Sequence, residues 1–213
     1  MQQYDEFNRY YLKPDPYRAN TQFSEISRLR RAWEWVRARR YRSVLDIGAG
    51  EGIWTVKLAG VSDFVVASDI SFVAIGRASR VGLSPIVLDL SNLCFATETF
   101  DLVCCMTALS YLPKNFRLPA LDAIYQALVP EGILLLVDAV VPNRFVIGEM
   151  PDLWQRKFVI QKVAAGNVRI PLLGRLATQH PMIFGKIYER LTYLADRAPE
   201  RLARHVMFWA QKR

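Results

Sequence analysis

Between residues 43 and 142 short apolar runs alternate with turns and helix-patterned stretches, as in a parallel sheet whose strands are joined by crossover helices. The runs predict strands over 43–47, 64–68, 86–88, 102–106 and 133–137. Each lies beside a carboxylate. Asp46 falls inside the first run, Asp69 and Asp89 directly follow the second and third, Asp101 precedes the fourth, and Asp138 follows the fifth. Ligands of open α/β sheets bind outside the carboxyl ends of the strands, so Asp69 and Asp89 are placed to touch one. Asp101, at the opposite end, is expected to cap or orient its strand.

The flanks follow a different pattern. Residues 1–42 predict a helical preface, interrupted at Lys13-Pro14-Asp15-Pro16 because the prolines forbid helix there, then an Arg-rich helix from about 24 to 40. After residue 142 the chain is helix-patterned between prolines. Leu153, Trp154, Phe158 and Ile160 mark one piece, and Ile183, Phe184, Ile187, Tyr188 and Leu191 recur at helical spacing in another. A closing strand is expected at 205–210. The prediction is a single α/β domain with a mostly parallel sheet and helices on both faces. It comprises an N-terminal helical cap (1–42), a core (43–142), a helical insertion or lid (143–204) and a closing strand (205–213). A length of 213 residues suits one core.

Charge divides along the same boundaries. Lys and Arg outnumber Asp and Glu by 10 to 5 before residue 43 and by 13 to 5 after residue 142, whereas the middle segment holds 5 against 10. An acidic core with basic flanks fits an anionic acceptor or partner, or a merely solvated basic surface. Arg28, Arg30, Arg31, Arg37, Arg39, Arg40 and Arg42 spread around their helix rather than along one stripe, which argues against nucleic acid. No apolar run approaches the ~20 residues of a membrane span, and the N-terminus lacks a signal-peptide layout, so a cytoplasmic location is expected. Cys94, Cys104 and Cys105, odd in number, read as buried reduced thiols.

The most specific stretch is Val44-Leu45-Asp46-Ile47-Gly48-Ala49-Gly50-Glu51-Gly52, a strand running into a glycine turn and then a helix. A dinucleotide turn has the spacing G-x-G-x-x-G, with a pyrophosphate on the helix N-terminus, but the third position here is Ile53. The G-x-G-x-G spacing suits a ligand without phosphates. Asp69, 19 positions beyond Gly50, can accept two hydrogen bonds from ribose hydroxyls. Asp89 can accept an adenine amino group while the following Leu90 N–H faces a ring nitrogen.

Taken in order, Leu45 to Gly52, Ser68-Asp69-Ile70, Leu88-Asp89-Leu90, Phe100-Asp101-Leu102-Val103 and Leu128-Val129-Pro130-Glu131-Gly132 resemble the class I S-adenosylmethionine-dependent methyltransferases over about 100 residues. Glu131, where the family usually has glycine, and the bulky Trp54 depart from the pattern. Asp15-Pro16-Tyr17 and Thr107-Ala108-Leu109-Ser110-Tyr111-Leu112 further resemble the NodS-like small-molecule methyltransferases. The resemblance implies an enzyme with a Rossmann-like fold that uses S-adenosyl-L-methionine. The implied cofactor residues are Asp46, Gly48, Ala49, Gly50, Gly52, Asp69, Ile70, Asp89, Leu90, Met106 and Tyr17. The NodS-like resemblance implies N-methylation of an amino sugar or a related acceptor; a small-molecule acceptor methylated at nitrogen or oxygen is expected, anionic if the basic flanks meet it.

Catalysis by such an enzyme rests on aligning the acceptor with the methyl group, and a base is optional. Of the two histidines, His180 is the candidate base in the expected lid, and His205 reads as structural; Glu149 and Asp152 are alternatives to His180. Tyr111 is expected to line the acceptor side and Met106 to lie under the cofactor or simply in the core. Tyr17 is expected to close over the cofactor, Tyr10 and Tyr11 to dock their helix. Competing readings are an RNA-directed methyltransferase using the basic flanks and a non-catalytic partner-binding protein that kept the fold. Cys104-Cys105-Met106-Thr107 at the exit of strand four is unlike the Asn/Asp-Pro-Pro-Tyr turn of DNA adenine methylation, and a nicotinamide oxidoreductase is opposed by the missing third glycine.

Overall fold

The computed structural model describes residues 2–79, 85–140, 156–168 and 170–213. Helices α1 (Gln2–Tyr10) and α2 (Phe23–Val36) precede the alternating unit. That unit comprises β1 (Tyr41–Ile47), α3 (Ile53–Ala59), β2 (Ser62–Asp69), α4 (Phe72–Ser79), β3 (Pro85–Val87), β4 (Phe100–Met106), α5 (Lys114–Ala127) and β5 (Leu128–Ala139). There follow β6 (Phe158–Val168), α6 (Pro171–Gln179), α7 (Lys186–Leu194), the short α8 (Pro199–Leu202) and β7 (Ala203–Lys212). The seven strands form one sheet in the order β3-β2-β1-β4-β5-β7-β6. The first five pair in parallel, and β7 runs antiparallel to both β5 and β6.

Side chains alternate across the sheet, as strand geometry requires. Leu45, Ile47, Val103, Cys105, Leu134 and Leu136 join α5 on one face. Val44, Leu102, Cys104, Leu135 and Val137 face Leu29, Ala32 and Val36 of α2 and Trp54 and Leu58 of α3 on the other. Near-continuous apolar strands are what a sheet covered on both faces demands. Asp101 accepts hydrogen bonds from the backbone N–H groups of Arg42 (2.9 Å) and Ser43 (2.8 Å), tying the start of β4 to the start of β1.

Two expectations differ from the structure. The segment after residue 142 contains β6, an 11-residue strand, besides the helices α6 and α7; Phe158 and Ile160, read as helix-patterned, lie in it. As an edge strand β6 exposes most of its first half and buries its second. Its buried stretch, Ala164-Ala165-Gly166-Asn167-Val168, offers a single β-branched residue. Cys94 is exposed, whereas Cys104 and Cys105 are buried free thiols. Glu149, Asp152, Leu153 and Trp154 lie outside the described residues.

The arginines of α2 are mostly structural. Buried Arg31 donates to both carboxylate oxygens of Asp196 (2.9 and 2.7 Å), and Asp196 also accepts the Ala165 N–H of β6 (2.8 Å). Arg30 pairs with Glu189 at 2.7 Å in solvent. Asp196→Ala should therefore destabilise by about 3 kcal/mol, because it strands a buried charge, and Arg30→Ala by less than about 0.5 kcal/mol. Urea unfolding of both variants reads this contrast, and equal losses would contradict it.

Asp46 is wholly buried on the α3 side of β1, where its carboxylate accepts the Thr55 hydroxyl at 2.5 Å. Burial pushes its pKa from 3.8 up to about 7, with the Thr55 hydrogen bond opposing. The folded state thus holds a proton that the unfolded chain releases near pH 4, so stability falls as pH rises from about 4 to 7. The shift corresponds to roughly 4 kcal/mol at most. Asp46→Asn, which keeps an acceptor for Thr55, should lose less stability than the parent between pH 5 and 8. Parallel pH–stability curves in urea would contradict this origin.

Candidate active site at the carboxyl ends of the strands

The chain leaving β1 must turn sharply, and it does so with Gly48, Gly50 and Gly52 at φ of 73°, 56° and 82°, a region costly for other residues. Space is equally tight. A Cβ on Gly48 would lie 2.9 Å from the Ala108 Cβ, and one on Gly50 would lie 2.6 Å from the Tyr11 hydroxyl. Three successive N–H groups of the turn, those of Gly48, Ala49 and Gly50, are satisfied internally. Gly48 and Ala49 donate to the Ser68 carbonyl (2.8 and 2.9 Å), and Gly50 donates to Asp69 Oδ2 (2.9 Å). These donors are therefore unavailable to cradle a pyrophosphate.

Asp69 closes β2 with its other oxygen accepting the Ser71 N–H at 2.8 Å. It is nearly buried, and burial raises its pKa against the pull of these backbone donors. Asp89, after β3, accepts the Ser91 N–H at 2.8 Å through Oδ1. One cavity brings Asp46, Gly48, Ala49, Gly50, Asp69 and Ile70 together with Asp89, Leu90, Met106, Tyr17 and Tyr111. Gly52 caps α3 beside it without lining it.

The roof comes from the N-terminal segment. Phe7, Tyr11, Pro16 and Tyr17 line the cavity, with Tyr11 and Tyr17 5.9 Å apart edge-on and Phe7 against Tyr111 at 5.3 Å. Tyr11 is buried, and that burial with nearby Asp69 pushes its hydroxyl pKa upward. Glu51 latches this segment: it accepts the Asp15 N–H at 2.9 Å and pairs with Arg77. Arg77 in turn donates to the carbonyls of Leu12 (3.2 Å) and Lys13 (3.1 Å). Tyr11 thus joins Tyr17 over the cavity, whereas Tyr10 stacks on Tyr17 from outside the lining.

Of the segment expected as a lid, residues 143–155 lie outside the described residues. Among the described residues of 143–204 none lines the cavity, because β6 and α7 are held on α2 through Asp196 and Glu189. His180 is correspondingly displaced from the site: it is exposed, and its N–H ends α6 on the Leu176 carbonyl at 2.8 Å. It is not among the cavity-lining residues, so it is not positioned as a base. His205 is buried with Nδ1 2.8 Å from Asn167 Oδ1, and burial holds its pKa well below the usual histidine value.

Sequence reasoning missed Phe7, Glu51 and above all Arg28, the one Lys, Arg or His among the described lining residues. Arg28 pairs with Glu25 at 2.7 Å, and its Nη1 has no hydrogen-bond partner. Against it stand Asp15, Asp46, Glu51, Asp69 and Asp89. That surplus of carboxylates, together with a glycine turn whose donors are committed, fits a ligand carrying a sulfonium, an ammonium and a ribose better than a pyrophosphate.

Residues 44–132 match the family model described as a methyltransferase domain. A ubiquinone/menaquinone biosynthesis C-methyltransferase of Blochmanniella pennsylvanica is 34% identical over 140 residues, 56% of this chain and 54% of that one. The chain thus spans about half the length of that relative. The N-methyltransferase NodS of Bradyrhizobium japonicum, solved with S-adenosyl-L-homocysteine, superposes with a TM-score of 0.74 at 17% identity, covering 98% of this chain and 97% of that one. A putative methyltransferase solved with the Haloferax volcanii Trm112 activator superposes at 0.68 and 16% identity, covering 97% of each chain. The matched segment, which is under half of the chain, and the sheet order agree in the fold: the chain is built like these Rossmann-like methyltransferase structures.

Proposed function

We propose that the chain transfers a methyl group from S-adenosyl-L-methionine to a small-molecule amine. The observation that carries this reading is the pair of carboxylates at the ends of adjacent strands, Asp69 and Asp89, opening into the same cavity as the glycine turn. Asp69 would take the ribose hydroxyls and Asp89, with the Leu90 N–H, the adenine edge. Gly48 and Gly50 leave room for the remainder, with Met106 as its apolar floor. When bound, the sulfonium supplies an activated methyl group. The chain's task is then to orient the acceptor and exclude water, which the Tyr11–Tyr17 roof and Tyr111 are placed to do.

The nature of the lining favours nitrogen. Among the described lining residues there is no histidine. Asp15, Glu51 and Asp69 are each engaged by backbone N–H groups, and Asp46 by Thr55. A neutral amine brings its own lone pair, whereas a hydroxyl or carbon acceptor calls for deprotonation. Arg28 further suits an acceptor that also carries a carboxylate, so amino acids and amino sugars with an acidic group head the test panel. The RNA-directed reading is weakened because Arg28, Arg30 and Arg31 of α2, and Arg40 after it, pair with carboxylates of the chain itself, leaving no continuous basic stripe on α2. Among the described residues no helix is long and apolar enough to cross a membrane.

Transfer of labelled methyl to a panel of amines, phenols and activated carbon acids tests the proposal. Label on amines supports it, and label confined to carbon or oxygen acceptors overturns the choice of nitrogen. Asp69→Ala should weaken S-adenosylhomocysteine binding by about 1.5–3 kcal/mol, roughly 10- to 150-fold, in a folded protein; unchanged affinity by calorimetry would remove the ribose assignment. His180→Ala should leave turnover unchanged, and a loss at intact cofactor affinity would restore the histidine as a base.

A further inference from the structure

A second cavity, of about 650 Å³, lies between the start of α2, α6 and the ends of β6 and β7. Three arginines line it, Arg18, Arg175 and Arg204, with no Asp or Glu among the described lining residues. Among those residues, none of the three guanidiniums has a side-chain hydrogen bond or ion pair, in contrast to the paired arginines of α2. Like charges gathered without a counter-charge repel one another, and an anion reverses that balance.

Other donors sit at the same place. The cavity takes in the N-terminal end of α2, a 14-residue helix whose flanking Gln22 makes no side-chain cap. Ser24, 5% exposed, lines the cavity with its hydroxyl beside that of Tyr188. At this N-terminus the Phe23 N–H is taken by Thr178 Oγ1 (3.0 Å) and the Glu25 N–H by the Gln22 carbonyl (3.0 Å), so the helix end contributes its partial positive charge. Arg forks match the oxygens of a phosphate in pairs. Tyr188 and Val168 give the cavity an apolar wall, and its volume exceeds that of a bare phosphate, which leaves room for an organic group.

We propose that this cavity binds the phosphate or diphosphate group of a soluble small molecule through Arg18, Arg175, Arg204 and the Ser24 hydroxyl. The site is separate from the methyl-transfer cavity but shares a loop with it. Arg18 belongs to the connection between α1 and α2, in which Pro16, Tyr17 and Ala19 line the other cavity. An occupant on Arg18 would hold this loop from its far side.

The test is calorimetric titration with inorganic pyrophosphate at low salt. It compares the parent chain, the double variant Arg175→Gln/Arg204→Gln, and a charge-matched control, Arg37→Gln/Arg39→Gln, at the other end of α2. Urea midpoints check that each protein is folded. The proposal expects the parent and the control to bind alike and the cavity variant to bind about tenfold more weakly or worse. No binding by the parent, or equal weakening in both variants, overturns it, the latter because it would reflect bulk charge. Sedimentation with phosphatidylcholine vesicles containing phosphatidic acid, in the absence of pyrophosphate binding, would assign the arginines to a lipid headgroup and overturn the soluble ligand.

Discussion

The hydrogen bond from the Gly50 N–H to Asp69 Oδ2 ties the tip of the glycine turn to the end of the neighbouring strand, and the candidate site is organised around it. Without it the turn would have a free donor and β2 a buried, half-satisfied carboxylate. With it, three left-handed glycines hold a concave backbone that only glycine can line. The same bond decides what the turn can bind: a backbone whose donors are committed offers contact and shape to a ligand, not charge neutralisation.

Around that point the molecule separates framework from enclosure. The sheet and its two apolar layers fix the strand ends, and Asp101 sets the opposite edge. Enclosure comes from the first residues of the chain, latched through Glu51 and Arg77 to the turn and to α4. This latch is polar and partly exposed, weaker than the core it closes over, as suits a cover that must open for exchange. The segment after β5 instead reinforces the far side of the sheet through Asp196.

The parallel strands, the glycine turn and the carboxylates at strand ends were legible in the sequence because each follows from a local rule: apolar runs, a glycine spacing, an acidic residue after a strand. Three features were not. β6 was hidden because its buried half is mostly alanine, glycine and asparagine, with little strand preference, while its β-branched Val159, Ile160 and Val163 are exposed. Tyr11 and Arg28 reached the cavity only through the packing of α1 and α2. His180 drew attention as a rare titratable residue, but its neighbours, Leu176 on one side and Phe184 at 6.4 Å on the other, are those of a helix end. Tertiary placement, not residue type, decided these cases.

Calorimetric titration of the purified chain with S-adenosylhomocysteine, against NAD as control, addresses the committed glycine turn and the two strand-end carboxylates together. The account predicts binding of the first in the micromolar range and none of the second. Binding of NAD alone would contradict it, since a pyrophosphate would then be held beside a turn whose Gly48, Ala49 and Gly50 N–H groups are already bonded, and binding of neither would favour a partner-binding protein that kept the fold.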